Sequence, residues 1–101
     1  MNFSMLKQAQ EFKSKLDKAQ KELSNTIIEA ELGKGAVKVS IDGQQKILSI
    51  KISPEVIDPN QAENLEKLIL KAISEATAKS QKAAAKQLKG LTGGLKIPGL
   101  T

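Results

Sequence analysis

The sequence predicts an α+β fold in the order α-β-β-β-α, with a three-stranded antiparallel meander and a long C-terminal helix. Three observations predict it. Residues 4–24 repeat apolar positions with a period of about 3.5. Residues 27–52 alternate apolar and polar side chains around two Gly-containing turns. Residues 59–89 return to a helical period with no Gly in the run and Pro only at its start.

The first helix is expected over about residues 4–24. Met5, Ala9, Phe12, Leu16, Ala19 and Leu23 follow spacings of 4, 3, 4, 3 and 4, while Lys7, Lys18 and Lys21 fall on the far side. The segment is rich in Lys, Gln, Glu, Leu and Ala, all good helix formers. Three strands follow, at about 26–32, 36–42 and 46–52. Ile28, Ala30 and Leu32 oppose Ile27, Glu29 and Glu31, and Val37, Val39 and Ile41 oppose Lys38, Ser40 and Asp42. Leu48, Ile50 and Ile52 oppose Ile47, Ser49 and Lys51. β-Branched residues in strict alternation fit a sheet with one buried face. Connections this short require antiparallel pairing, because a parallel crossover needs a dozen residues or more. Gly33-Lys34-Gly35 lacks the strand–loop–helix setting of a phosphate loop and reads as a hairpin turn. Asp42-Gly43 reads as the second turn.

Ser53-Pro54 ends the third strand. Asp58 suits an N-cap, Pro59 the first helical position and Gln61 the capping-box position. The helix expected over 59–89 carries Ala62, Leu65, Leu68, Ile69, Ala72, Ile73 and Ala76 on one broad face. Gly90 is suited to terminate it, and residues 90–101 read as a flexible tail. The whole chain, 1–101, reads as a single domain.

Composition removes most chemistry. Cys, His, Trp, Tyr and Arg are absent, and all sixteen basic residues are Lys. Without Cys or His there is no zinc site of the usual kind, no thiol nucleophile and no imidazole base. Asp42, Glu55 and Asp58 could be imagined as a carboxylate site, but Asp42 reads as a turn residue and Asp58 as a cap. No enzyme activity, cofactor or small-molecule substrate is expected. No apolar run exceeds three residues, far short of a signal core or membrane span, so the expected location is cytoplasmic.

The long helix would measure about 45 Å, against a radius of gyration near 13 Å for a compact chain of this length. It must overhang its own domain. Three short strands cover about half of it, and the rest of the heptad seam stays unburied, so a homodimer is expected. The expected interface is Phe12, Leu16, Ile27, Ile47 and Ile69. Charge is as uneven as length. Residues 76–101 hold five Lys and no acid, equal to the whole net charge of +5. Lys79, Lys82, Lys86 and Lys89 fall within an arc of about 80° on the helix. Like charges so spaced repel by a few tenths of a kcal/mol per pair, and nothing on the helix offsets that, which points to a polyanion. Lys suits phosphates, whereas guanine edges are usually read by Arg and single strands by aromatics. Double-stranded DNA held by its backbone fits best. A membrane surface fits poorly, because the neighbouring face (Ala76, Ser80, Ala83, Gln87) has too little bulk to insert.

Residues 35–43, GAVKVSIDG, and 47–55, ILSIKISPE, resemble the signature of the YbaB/EbfC family of bacterial nucleoid-associated proteins. The resemblance continues in 65–73, LEKLILKAI, and 97–100, IPGL. It implies a tweezer-like homodimer that binds DNA and coats the nucleoid. It also implies DNA contacts on helical arms, which here carry Lys7, Lys15 and Lys18 on the first helix and the stripe on the last. The rival reading is a dimeric clamp or chaperone-like adaptor that grips another protein. The seam and apolar tail suit that rival; the acid-free basic end speaks for DNA.

Overall fold

The structure, a computed structural model, describes residues 3–92. Helix α1 spans Phe3–Ser24, strands β1, β2 and β3 span Ile27–Leu32, Val37–Asp42 and Ile47–Ile52, and helix α2 spans Ala62–Thr92. Short 3-10 turns at Pro54–Val56 and Pro59–Gln61 lead into α2. The sheet order is β1-β2-β3 with both pairs antiparallel. The expected elements and their order are therefore found, with ends shifted by one residue for α1 and the strands.

Two expectations about α2 are corrected. The chain opens at Pro59 as a 3-10 turn, and the α-helix starts only at Ala62. Asp58 caps that turn by accepting from the Asn60 amide at 3.0 Å, while the Gln61 side chain accepts from Asn64 instead of reaching back. At the other end Gly90 does not stop the helix, which runs on to Thr92. A mid-helix Gly costs about 1 kcal/mol, and continuing the helix turns Leu91 towards α1, where it is half-buried. Residues 90–92 thus leave the expected tail. The remainder of the tail, and the IPGL stretch within it, lies outside the described residues.

Ala30, Val37, Val39 and Ile41 on the sheet meet Ala72 and Ala76 on α2. Ile28, Leu32, Leu65, Leu68, Ile69 and Ile73 ring this centre. Alanine at 72 and 76 lets the helix approach the sheet closely, so β-branched side chains of β2 can be fully buried beneath it. The helix lies over β1 and β2. Strand β3 is left out, with Ile47, Leu48 and Ile50 at 40, 47 and 41% exposure. Strict alternation also fails in β3. Ile52 sits opposite Val37 and Ile50 opposite Val39, but the register shifts between Ser40 and Ile41 and brings Ile47 across from Ile41. A bulge admits one extra residue, so Ile47 leaves the outer face that Ile27 still occupies.

The β2–β3 turn ties the sheet to both helices. The Gly43 amide donates to the Leu23 carbonyl at the end of α1 at 2.8 Å. A Cβ on Gly43 would stand 2.7 Å from that oxygen and 3.0 Å from the Leu23 Cα. Glycine is required here for close approach; the left-handed residue of the turn is Gln45, at φ 63°. Ser80 Oγ donates to the Asp42 carbonyl at 2.6 Å, fixing α2 to the same turn. Asp42 Oδ1 accepts from the Gln44 and Lys46 amides at 2.8 and 2.9 Å.

Beyond this turn α1 and the end of α2 leave the sheet together as one antiparallel arm. The molecule measures 68 × 24 × 19 Å with a radius of gyration of 19.2 Å, well above the compact value of about 13 Å. Replacing Gly43 with Ala should lower the unfolding free energy by about 2 kcal/mol, because backbone must move to admit the methyl. Replacing Gln45 with Gly should raise it by about 0.5–1 kcal/mol by relieving the left-handed strain. Urea denaturation followed by circular dichroism checks both signs.

Candidate nucleic-acid interface

The arm is built from the half of each helix that the sheet cannot cover. On α1 the seam is buried at Ala19 and Leu23, half-buried at Phe12 and Leu16, and exposed at Met5. On α2 Ser80 is buried and Ala83, Gln87 and Leu91 are half-buried. Small residues at 19, 80 and 83 hold the two helices side by side. Gln87 Nε2 donates to Glu22 Oε2 at 2.6 Å, and Gln44 Nε2 donates to the Gln20 carbonyl at 3.1 Å.

Between the helices runs an open cleft of about 720 Å³ lined by Lys15, Lys18, Ala19, Glu22, Ala83, Lys86, Gln87, Gly90 and Leu91. Lys15 and Lys18 come from α1 and Lys86 from α2, and all three are exposed. These are the expected lysines that the fold brings together. Lys82 and Lys89 lie further round α2, on the side of Lys86 away from the cleft floor. Lys7 lies on the Lys18 side of α1, about 16 Å further out. Lys79 stands apart from the cleft, because its Nζ donates to the Glu29 carbonyl of β1 at 3.2 Å. The stripe read from sequence therefore divides: Lys79 anchors the helix to the sheet, while Lys86 faces the α1 lysines.

Nothing in the sequence pairs Glu22 with Gln87. Their spacing within each helix is unremarkable, and only the antiparallel arm brings them into contact. On the sheet, by contrast, charge is internally balanced. Lys38 Nζ lies 3.4 Å from Glu29 Oε2 and 3.5 Å from Glu31 Oε1. The hydrogen bond and charge of Glu29, followed by those of Glu31, hold the Lys38 ammonium above its ordinary pKa. Among the described residues no cluster of acids could hold a metal ion, and no helix is long and apolar enough to cross a membrane.

The expected interface residues are dispersed. Ile47 lies on the uncovered strand and Ile69 beside the core. Ile27, at 67% exposure, is on the outer face, and Phe12 and Leu16 are on the arm.

A small α+β chain whose first and last helices form a lysine-bearing arm on a three-stranded sheet has the build of a basic binding protein. Within that class, the chain belongs to the YbaB/EbfC DNA-binding family, whose sequence pattern matches residues 1–95. It is 44% identical over 97 residues to a nucleoid-associated protein of Clostridium acetobutylicum, covering 96% of this chain and 87% of that one. It is likewise 44% identical over 96 residues to a nucleoid-associated protein of Pelotomaculum thermopropionicum, covering 95% and 91%. The crystal structure of the uncharacterized protein HP0035 from Helicobacter pylori shares the fold, with a TM-score of 0.62 at 21% identity over 94% of this chain and 97% of that one. Family and relatives are named for DNA and the nucleoid, not for a reaction.

Among the described residues Glu22 is the one acid on the cleft, so its charge should weaken anion binding there. Glu22→Gln keeps a side-chain bond to Gln87 within reach and removes the charge. The variant should elute from immobilised heparin at higher salt than the parent, with an unchanged circular dichroism spectrum.

Proposed function

We propose that this protein binds duplex DNA in the bacterial nucleoid as a homodimer, mainly through contacts between arm lysines and phosphates. The observation that carries this reading is the meeting of Lys15 and Lys18 of α1 with Lys86 across the arm, where the end of α2 that bears Lys86 has no acid after Glu75. Ammonium groups gathered on one side in water repel, and a polyanion offsets that repulsion because the lysines neutralise its phosphates and release its condensed counterions. Membership in a DNA-binding family supports the same partner. The nucleoid-associated names of the relatives support the location, and a role in nucleoid organisation or gene regulation belongs to the same proposal.

The dimer is supported by the apolar surface that one copy leaves open. Ile47, Leu48 and Ile50 on β3 are only partly covered, and Leu65, Ile69 and Ile73 flank the core on α2. An edge strand with exposed aliphatic side chains is a liability unless something pairs with or covers it. A second copy related by a two-fold axis covers both surfaces at once. Phe12 and Leu16 join this interface if the arms of the two copies converge. Sedimentation equilibrium at micromolar concentration should give twice the chain mass of 10.8 kDa. Ile50→Glu should give the single-chain mass with helix content retained; a monomeric parent would overturn the dimer.

DNA binding should fall steeply with salt and vary little with sequence. With three or four phosphates neutralised per arm, log K against log salt should have a slope of about −5 to −7. Replacing Lys82, Lys86 and Lys89 together with Lys15 and Lys18 by Gln should flatten that slope and weaken binding at least about tenfold. Replacing Lys34, Lys38, Lys46 and Lys51 should do less, because Glu29 and Glu31 already offset Lys38 on the sheet. Fluorescence anisotropy with a random duplex measures all three. Equal losses from the two sets would assign binding to net charge or to the sheet instead of the arm.

A further inference from the structure

Phosphates would engage only the rim of the α1–α2 cleft, leaving its floor unused. That floor is made by Ala19, Ala83, Gly90 and Leu91. The small residues Ala19, Ala83 and Gly90 leave the floor without bulky side chains to fill it, and Leu91 supplies an apolar wall. One end is closed by the hydrogen bond from Gln87 to Glu22. The α1 side of the slot, residues 15–22, is two helical turns, or about 10 Å long. Duplex DNA is too broad to enter a slot of this length, and a small anion would leave the floor in water.

We propose that this cleft docks an acidic amphipathic helix of a partner protein. An apolar side chain of that helix seats between Ala19, Ala83 and Leu91, and its carboxylates meet Lys15, Lys18 and Lys86. Charge complementarity selects the occupant: among the described residues three ammonium groups line the slot, and its single carboxylate is already bonded to Gln87. Laying the apolar face of a helix in a groove is a common mode of recognition, with anchors at i, i+3, i+4 and i+7. The floor sets the requirement for an apolar anchor, and the rim sets the sign of the charge around it. Because the same lysines serve the phosphates in the reading above, helix and DNA exclude each other. Only this exclusion rests on that reading; docking itself does not.

The test uses the full chain and a labelled synthetic peptide of about four helical turns, with Leu at i, i+3, i+4 and i+7 and Glu elsewhere. An oligo-glutamate of equal charge is the control. The amphipathic peptide should bind at least about tenfold more tightly than the control. Ala83→Phe, which fills the floor, and Leu91→Ser, which removes its wall, should each weaken the peptide about tenfold while DNA affinity changes less than about twofold. Leu91→Ser guards against a splayed arm in Ala83→Phe. Lys15, Lys18 and Lys86 changed together to Gln should weaken both ligands, and duplex should displace the peptide. Equal binding of oligo-glutamate, or floor variants that keep peptide affinity, would overturn the docking and leave the DNA reading intact. Peptide affinity that falls as protein concentration rises would assign the cleft to a second copy and overturn the docking too. Peptide binding by a chain that ignores duplex would overturn the DNA reading alone.

Discussion

The placement of everything outside the core depends on the contact between Gly43 and the end of α1. The Leu23 carbonyl accepts from the Gly43 amide, and there is no room for even one carbon on the glycine. The same turn receives Ser80 from α2 through the Asp42 carbonyl. One hairpin therefore ties together two helices that otherwise meet along a narrow strip of small side chains and through the Gln87–Glu22 hydrogen bond. The turn can bear this because the Asp42 carboxylate closes it internally by accepting hydrogen bonds from two backbone amides. A helix held at one end by its backbone and alongside by alanine and serine keeps its direction well into solvent.

That direction creates the electrostatic division of the molecule. Near the sheet, lysines find partners: Lys38 pairs with Glu29 and Glu31, and Lys79 reaches the Glu29 carbonyl. Along the arm they are exposed and face each other across a cleft. Repulsion among exposed ammonium groups is weak, a few tenths of a kcal/mol per pair, so a projecting arm tolerates it. The same charges gathered on one side attract a polyanion by releasing its counterions. Extension therefore keeps the fold tolerable and the binding surface accessible at once.

The sheet is left incomplete for a related reason. Alanine at 72 and 76 seats α2 over β1 and β2, and one helix is too narrow to cover a third strand as well. The bulge in β3 brings Ile47 across from Ile41 and enlarges the uncovered aliphatic area. A two-layer chain of this size is short of core unless another surface completes it. The open strand and the overlong helix thus have one common cause, namely too little sheet for too much helix.

The sequence by itself determined the number and order of the α-helices and strands, because each carries its own period: about 3.5 in α1, two in the strands and 3.6 in α2. It also determined that the C-terminal end is basic and that no thiol or imidazole chemistry is available. The family was legible too, since its signature lies within contiguous stretches of the strands and α2. Periodicity is a local property, and so is composition. What only the tertiary structure decided is where those faces go. Gly90 reads as a terminator until packing of Leu91 carries the helix past it. Gly43 reads as a turn residue until the backbone of α1 is found against it. Lys79 belongs to the stripe by spacing and to the sheet by contact. Glu22 and Gln87, 65 residues apart, become neighbours only when the helices fold side by side. These outcomes depend on distances between residues remote in sequence, and no period along the chain encodes them.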